Sequence, residues 1–307
     1  MRKTISKTIF FLIINLLAIS FSLAQNCVEV STVVANDGRI VSDIAADKNG
    51  NIYISQSPFG STVMRLTPDG ERETFIDDLQ GAGGLEVDGN GNLYVSEFHT
   101  QKIKLYNSAG EILEEWESGL TGPAGLALDD EGNLYVAEYG ELGDSEEVNI
   151  FGNKIGVIKN TERDTVQIVI RDERLHAPVD IEFDESGNLY TANGRDGKIF
   201  RYSNKGELTV LAEAQDDIHF GWIAYLDGAI YSTHFTGHTI YKTDIESGTI
   251  SAFTGTGIPG SDDGDLNTAS FNHPNGIEST YSGNGLYITE TNVNANVNRL
   301  RLITLCD

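Results

Sequence analysis

Basic residues are scarce in this chain. It carries 21 Lys and Arg against 46 Asp and Glu, which gives a formal net charge of −25 over 307 residues. Such a protein repels phosphate groups, so nucleic acid is not an expected partner. The sequence also lacks a Gly-x-Ser-x-Gly nucleophile elbow, a cysteine nucleophile motif and a phosphate-binding loop. Any enzymatic activity therefore has to depend on a metal ion or on histidine.

Proline is rare as well, with 6 residues, whereas glycine is abundant, with 33. Together with 12 Tyr and 13 Phe, this composition favours many strands and turns over long helices. The hydrophobic content of 39% and the length exclude a disordered tail, because they are sufficient for a large folded core.

Long apolar runs are absent except at the N-terminus. Three basic residues precede an apolar run from Ile9 to Ile19, and Ser22 and Ala24 are small residues placed for cleavage. The pattern predicts a signal peptide over residues 1–25 and a secreted or periplasmic protein. A retained membrane anchor is the alternative, but the run is short for a membrane span. No other segment is apolar enough to span a bilayer, so we expect an exported protein without a membrane span. We also expect it to be a monomer.

A Gly-Asn-hydrophobic-Tyr phrase, degenerate in its last two copies, recurs along the chain. Its tyrosines are Tyr53, Tyr94, Tyr135, Tyr190, Tyr231 and Tyr287. Their successive spacings are 41, 41, 55, 41 and 56 residues, so the base period is 41 with insertions of 14 and 15 residues. Self-similarity at this period indicates a repeat architecture.

Each repeat has the pattern of four short strands. In the first repeat the predicted strands are Asp43–Ala46, Ile52–Ser55, Val63–Leu66 and Glu73–Ile76, with turn residues between them. Four-stranded antiparallel units repeated about every forty residues describe the blades of a propeller around a central channel. The sequence therefore predicts an all-β, six-bladed β-propeller as the single domain of residues 26–307.

The two ends of the chain are predicted to close the ring. The last repeat supplies only three strands, and Val28–Val34, which precedes the first repeat, can provide the fourth. Cys27 and Cys306 are the two cysteines of the chain, and this closure brings them together. A disulfide between them suits an exported protein. Two unrelated thiols are the alternative.

One stretch of the sequence resembles a known family. Gly255–Gly260, Asp263-Gly264 and Ala269–Ile277 are similar to the linker and following strand of NHL-repeat propellers. The resemblance covers residues 27–307 and extends to gluconolactonase (regucalcin)-type propellers and, in part, to streptogramin lyases. It implies the fold, whereas the chemistry stays open because these propellers include lactonases, phosphotriesterases, lyases and binding proteins.

We expect all six histidines on one face of the ring. Loops that enter the first strand of a blade and loops that leave its second strand open on the same side, here called the working face. His176, His219 and His273 precede first strands, His234 ends a second strand, and His99 and His238 follow one. His219, His234 and His273 are candidate catalytic groups for proton transfer. The alternative is that they only pack the loops.

The ends of the second strands form a ring of polar residues. They are Gln56, Glu97, Glu138, Asn193, His234 and Glu290. Most are expected to tie their own loop to a backbone amide. Glu290 is a candidate catalytic residue, because the streptogramin-lyase resemblance implies a catalytic Glu at its place. The same resemblance implies histidines where this chain has Asn275 and Gly221, with His219 and His273 two residues upstream of these positions.

Carboxylates alternate with alanine along the first strands. The column reads Ala45, Glu86, Ala127, Glu182, Ala224 and Glu278, and Asp43 and Asp180 stand above it in blades one and four. If the column faces the channel, the carboxylates converge, and oxygen ligands suit Ca²⁺ or Mg²⁺. The gluconolactonase resemblance implies Asn275, in a Pro-Asn-Gly context, as a further ligand. A wet channel, or glutamates tucked between blades, is the alternative.

Two other acidic features are expected to be structural. Asp47, Asp88, Asp129 and Asp184 begin the turns before Gly-Asn, where Asp bonds its own backbone. The insertion Glu141–Asn153 is predicted to form a solvated rim on the working face.

Three functions follow from these features. The leading hypothesis is a divalent-metal-assisted hydrolase of lactonase or esterase type, acting on a small molecule at the channel mouth. A streptogramin-lyase-like lyase and a non-catalytic propeller that binds a small ligand or a protein are the alternatives.

Overall fold

The computed structural model describes residues 28–56, 60–142, 150–215, 218–291 and 298–305. Within these ranges the chain is all β, and no helix that could cross a membrane is present. Six antiparallel sheets follow one another along the chain. The innermost strand of each sheet contacts the innermost strands of both neighbouring sheets, and the last contacts the first. The prediction of a closed six-bladed β-propeller is confirmed.

The strands of the six blades, from the channel outwards, have the following bounds. Blade 1 consists of β2 (Ile44–Ala46), β3 (Ile52–Ser55), β4 (Val63–Leu66) and β5 (Arg72–Ile76). Blade 2 consists of β6 (Ala82–Val87), β7 (Leu93–Glu97), β8 (Lys102–Tyr106) and β9 (Ile112–Glu117). Blade 3 consists of β10 (Pro123–Leu128), β11 (Leu134–Glu138), β14 (Lys154–Lys159) and β15 (Glu162–Arg171). Blade 4 consists of β16 (Pro178–Phe183), β17 (Leu189–Asn193), β18 (Lys198–Tyr202) and β19 (Leu208–Glu213).

Blade 5 consists of β20 (Ile223–Leu226), β21 (Ala229–His234), β22 (Thr239–Asp244) and β23 (Ile250–Thr254). Blade 6 consists of β25 (Pro274–Ser279), β26 (Gly285–Glu290), β27 (Arg299–Thr304), the N-terminal β1 (Glu29–Ala35) and, outermost, β24 (Gly264–Asp265). A separate two-stranded ribbon of β12 (Gly140–Glu141) and β13 (Ile150–Phe151) lies in the predicted insertion of blade 3.

The N-terminal strand closes the ring as predicted. β1 pairs with β27 from Glu29 opposite Thr304 to Ala35 opposite Arg299. The sequence did not predict β24, which the second long insertion supplies and which pairs with the other side of β1. The closing strand is therefore hydrogen-bonded along one edge and partly covered along the other.

Both cysteines of the predicted disulfide, Cys27 and Cys306, lie outside the described residues. The nearest paired residues are Glu29 and Thr304, which stand opposite each other at the open end of the β1–β27 ladder. The disulfide stays a prediction.

The hydrophobic core lies between the blades rather than inside any one of them. Each of six apolar clusters joins a pair of neighbouring sheets. The cluster that joins blade 6 to blade 1 takes Val34 from the N-terminal strand and Leu300 from the C-terminal strand, and packs them on Ile44 and Met64. Because single sheets have no core of their own, each blade depends on two neighbours for the burial of its apolar faces.

The turn aspartates have the predicted structural role. Asp47 Oδ1 accepts the N–H groups of Asn49 (2.8 Å) and Asn51 (2.9 Å), while its Oδ2 accepts the Asn51 side-chain amide (2.7 Å). The same arrangement recurs at Asp88, Asp129 and Asp184. These carboxylates stabilise the turns that join first and second strands on the face opposite the working face.

A buried arginine fastens the second insertion to blade 6. The Arg301 side chain is fully buried and donates to Glu290 Oε1 (2.9 Å), Asp263 Oδ1 (2.9 Å) and the carbonyls of Asp262 and Ser270 (both 3.0 Å). Asp263 Oδ1 also accepts the Thr32 hydroxyl of β1 (2.8 Å). One guanidinium thus links β26, the insertion and the closing strand.

Replacing Arg301→Met is expected to lower the free energy of unfolding by about 3–5 kcal/mol, because Glu290 then loses its hydrogen-bonded cation and stays buried with the more distant Arg299 guanidinium (4.0 Å) as its ion-pair partner. Urea unfolding at pH 7 measures this loss. The double variant Arg301→Met/Glu290→Gln should recover part of it. Arg174→Met, which removes an exposed ion pair to Asp172, is the matched control and should lower the free energy of unfolding by no more than about 1 kcal/mol. Equal effects of Arg301→Met and Arg174→Met would contradict the linking role.

Candidate functional site

Two cavities follow each other along the inner strands. The first opens on the working face, has a volume of 220 Å³ and is here called the mouth; its lining includes Phe98, Tyr139, Phe220, Trp222, Ser42 and Asn275. The second lies deeper in the channel along the same strands and has a volume of 170 Å³. It is here called the carboxylate cavity, because Asp43, Glu86, Asp180, Glu182 and Glu278 line it.

The mouth is aromatic and uncharged. No Asp, Glu, Lys, Arg or His side chain lines it among the described residues. Phe98 and Tyr139 pack at 6.1 Å between ring centroids on one side, and Trp222, which is 5% exposed, belongs to the wall that blade 5 supplies. Such walls offer apolar faces to a ligand ring.

A polar corner interrupts the aromatic walls where blade 6 meets blade 1. Asn275 Nδ2 donates to the Val41 carbonyl (2.8 Å), which fixes the amide across the closure seam. Ser42 lies beside it, and the Ser42 carbonyl accepts the Thr289 hydroxyl (2.7 Å). The Asn275 Oδ1 atom and the Ser42 hydroxyl form no hydrogen bond to any described residue, so both can serve a ligand.

The carboxylate cavity contains no basic side chain among the described residues that line it. Three of its acids accept a backbone N–H from the next blade. Asp43 Oδ2 accepts from Leu85 (2.7 Å), Asp180 Oδ2 from Ile223 (3.1 Å) and Glu86 Oε1 from Leu128 (3.3 Å). These acids therefore connect consecutive inner strands, in addition to any role towards a ligand.

A glycine makes room for one of these connections. A Cβ atom on Gly125 would lie 2.2 Å from Asp180 Oδ1, so any side chain at this position would displace the carboxylate. The inner strands of blades 3 and 4 can approach each other closely because position 125 has no side chain.

Burial raises the pKa values of all five channel acids. It raises the pKa of Glu86 to about 8 and that of Asp180 to about 7. For Asp43, Glu182 and Glu278, burial and then repulsion from the neighbouring carboxylates hold the pKa well above its usual range. Several of these groups therefore carry protons at neutral pH.

The predicted metal ligands do not form a coordination shell as they stand. Asn275 lines the mouth, whereas Asp43, Asp180 and the three glutamates line the deeper cavity. In the described part of the chain, no three His, Cys, Asp or Glu side chains are grouped closely enough to hold a metal ion. A cation at this site would require the side chains to move, and its binding stays a prediction.

The ring of second-strand ends has a structural role. In blades 2, 3, 4 and 6 a backbone N–H ahead of the first strand donates to the polar side chain of the same blade: Gln80 to Glu97 (2.9 Å), Thr121 to Glu138 (3.1 Å), His176 to Asn193 (3.0 Å) and Asn272 to Glu290 (3.1 Å). Glu290 was the predicted exception, yet it makes the same bond. It is also 1% exposed and paired with Arg301, although burial raises its pKa to about 7.

Three histidines lie together at the rim of blades 5 and 6. His238 and His273 pack edge to face at 4.6 Å between ring centroids, and His234 lies close enough for its pKa to be lowered by burial and by neighbouring His219 and His238. His219 is exposed at the same rim. His176 contacts Asp196 (3.3 Å) in blade 4, outside this group.

The aromatic mouth is what sequence reasoning missed. Phe98 and Tyr139 each follow directly after the glutamate that ends a second strand. The alternation of side chains between the two faces of a strand does not continue beyond the strand end, so it does not predict where these two side chains lie. Aligning the residue after each second strand would have revealed the two aromatics.

No family model and no curated protein matches the sequence. Solved structures share its fold. A streptogramin B lyase aligns with a TM-score of 0.64 and 15% identity, covering 91% of this chain and 98% of that one. An auxiliary nutrient binding protein from Bacteroides ovatus ATCC 8483 gives 0.68 and 15%, covering 91% and 77%. A proposed gluconolactonase gives 0.65 and 14%, covering 91% and 92%. At these identities the likeness establishes a common six-bladed fold.

The buried acids should make the protein less stable as the pH rises from 5 to 8. Unfolded Glu86 loses its proton near pH 4.5 and folded Glu86 near 8, so the native state binds more protons over this interval and loses stability as they leave. The contribution of this group is of order 1–3 kcal/mol. Urea unfolding free energies at pH 5, 6, 7 and 8 measure it.

Glu86→Gln should reduce this pH dependence by the contribution of Glu86, since an amide does not titrate, while the other four channel acids still do. Asp172→Asn is the control, because the Arg174 hydrogen bond lowers the pKa of Asp172 to about 2 and its titration ends below the interval. A wild-type protein whose stability is constant or rises from pH 5 to pH 8 would contradict the assignment of protons to the channel.

Proposed function

We propose that the protein is a ligand-binding propeller that takes a small uncharged or cationic molecule with a flat apolar face at its mouth. The observation that carries this proposal is the uncharged aromatic lining of the mouth directly above five carboxylates. Aromatic walls supply apolar contact area, and Asn275 and Ser42 supply hydrogen bonds that fix orientation.

The electrostatics select against anions. A negative ligand at the mouth would face the channel acids, which have no basic partner in their cavity, and a protein with a net charge of −25. Binding would force protons onto the acids or be weakened by repulsion. A cation or a neutral molecule is not repelled by the channel acids and does not force protons onto them.

The mouth selects for size as well. Its 220 Å³ is below the roughly 300–1,000 Å³ typical of sites for drug-sized molecules. A single ring with one or two polar substituents is the ligand class we infer. The fold neighbours that are described as nutrient binding proteins support a binding role without defining a ligand.

Tryptophan fluorescence tests the proposal directly. The chain has two tryptophans, and Trp222 lines the mouth while Trp116 lies in the outer strand β9. In the Trp116→Phe variant, benzyl alcohol and benzylammonium should change the fluorescence saturably. Benzoate, which has the same ring and a negative charge, should bind at least about tenfold more weakly.

The control for this experiment is Trp222→Phe, in which the remaining Trp116 should give no saturable signal with any of the three probes. Asn275→Ala should weaken the binding of benzyl alcohol by a factor of roughly 3–10, the net value of one hydrogen bond. Equal affinity for benzoate and benzylammonium would show that the channel acids do not act on the mouth.

The metal-assisted hydrolase is a second candidate, and one observation favours it. Glu182 lines the carboxylate cavity and accepts no hydrogen bond from any described residue, so its oxygen atoms are available to a cation, whose charge would favour the ionised form of the group. A Ca²⁺ or Mg²⁺ held there with Glu278 would polarise a carbonyl group bound at the mouth. The rim histidines His219, His234 and His273 would be the candidates for proton transfer.

Hydrolysis of dihydrocoumarin, a neutral aromatic lactone, tests this second function. Activity should be lost in EDTA and return with Ca²⁺ or Mg²⁺, and Glu182→Gln should reduce it at least about tenfold by removing a ligand. Glu173→Gln, at an exposed position of the loop between blades 3 and 4, is the matched control and should retain full activity. Hydrolysis that is indifferent to EDTA, or no hydrolysis in any condition, rules the metal mechanism out.

Export and the disulfide are proposals that rest on the sequence. A mature chain found outside the cytoplasm with its N-terminus near residue 25, and a Cys27–Cys306 peptide pair in non-reducing mass spectrometry, would support them.

A further inference from the structure

One hydrogen bond joins the two histidines at the rim. The backbone N–H of His273 donates to His238 Nδ1 (3.1 Å), so this ring nitrogen must carry a lone pair. His238 is 8% exposed, and its ring packs edge to face on that of His273. The bond links the loop after the second strand of blade 5 to the turn before the first strand of blade 6.

This turn and the first two residues of β25, together called the Asn272–Asn275 turn, place Asn275 at the mouth. It is held on its own blade by the Asn272 N–H to Glu290 Oε1 (3.1 Å) and by the Thr291 N–H to the His273 carbonyl (3.1 Å). Two hydrogen bonds connect this turn to blade 5: the His273 N–H donates to His238 Nδ1, and the Thr233 hydroxyl of β21 donates to the Asn275 carbonyl (2.7 Å).

The backbone at both histidines is strained. His238 and His273 each have a φ of 53°, in the left-handed region that residues with a side chain seldom adopt. Such conformations persist when the surrounding contacts impose them, and they concentrate at sites that bind or switch. Loss of the hydrogen bond between the two histidines would remove one of the contacts that hold the backbone in this conformation.

We propose that His238 is a positioning residue, whose neutral ring holds the Asn272–Asn275 turn in place and whose protonation releases it. An imidazolium carries a proton on Nδ1 and cannot accept from the His273 N–H, so the two N–H groups would face each other. Acid therefore frees the His273 end of the turn, while the bonds of Asn275 to Val41 and Thr233 remain, and it weakens ligand binding at the mouth by loosening the support of Asn275. This regulatory role rests on the proposed binding function.

The surroundings of His238 keep it neutral at neutral pH. Burial, and then the proximity of His273, lower the pKa of His238, and His234 and His219 are the next titratable groups at this rim. Phe235 covers His273 on its other side (4.7 Å between centroids), and Glu290 with Arg301 lies beyond Asn272. A histidine with a lowered pKa loses its folded-state contacts as the pH falls, so the turn is intact at pH 7.5 and loosens in acid.

Amide hydrogen exchange of His273, measured by NMR on the ligand-free mature chain and corrected for intrinsic rates, tests the switch. From pH 7.5 to pH 5.0 the protection of this amide should fall at least about tenfold, the value of one hydrogen bond. In His238→Asn the protection should be the same at both pH values. Asn offers Oδ1 at the place of Nδ1, tolerates the left-handed backbone and does not titrate.

His238→Phe is the complementary variant, since it keeps a ring but has no acceptor. Its His273 amide should be unprotected at both pH values, and if it fails to fold, the comparison of wild type with His238→Asn still decides. A pH response of the same size in His238→Asn would assign it to Glu290 or the channel acids and overturn the proposal. So would constant protection in the wild type.

A second arm separates the switch from the binding function. Benzyl alcohol, which does not ionise in this range, should bind the Trp116→Phe protein at least about threefold more weakly at pH 5.0 than at pH 7.5. Adding His238→Asn should remove this difference. If benzyl alcohol does not bind at either pH, the binding function fails for this ligand class, while the exchange measurement still decides whether His238 controls the turn.

Discussion

The packing of one apolar cluster between the last blade and the first is the constraint on which the whole molecule depends. Five of the six interblade cores form between sheets that follow each other in the sequence. The sixth requires Val34 from the beginning of the chain and Leu300 from its end to meet on blade 1. Without it, two sheets would each expose an apolar face and the ring would stay open.

The same seam positions the candidate site. Asn275 belongs to blade 6 and Ser42 to blade 1, and the amide of Asn275 is fixed by a carbonyl on the other side of the seam. The mouth therefore has the described arrangement of Asn275 and Ser42 only in the closed ring. Beneath it, Asp43, Asp180 and Glu86 use part of their hydrogen-bonding capacity to connect inner strands, so the channel acids serve the ring as well as any ligand. A substitution among them changes both properties together.

The fold could be predicted in detail because the repeat is local. The spacing of the tyrosines fixes the number of blades, and alternating residues between turn signals fix strands such as Ile52–Ser55 and Val63–Leu66 to the residue. β24 could not be predicted, because two residues of insertion become a strand only when β1 lies beside them. The pairing of Glu290 with Arg301 could not be predicted either. The repeat pattern does not connect the two positions, and the burial of Arg301 is apparent only in the three-dimensional structure. The position of Asn275 relative to Asp43 and Asp180 depends on depth along the channel, which a column alignment does not give.

The way β1 enters blade 6 has a mechanical consequence. Glu29 and Thr304 stand opposite each other at the end of the β1–β27 ladder from which both chain ends leave. With Cys27 and Cys306 reduced, tension applied between the two ends would open this ladder one pair of hydrogen bonds after another, instead of loading all of them at once in shear. The ladder that completes the circle is thus also the one that a pulling force loads one pair at a time.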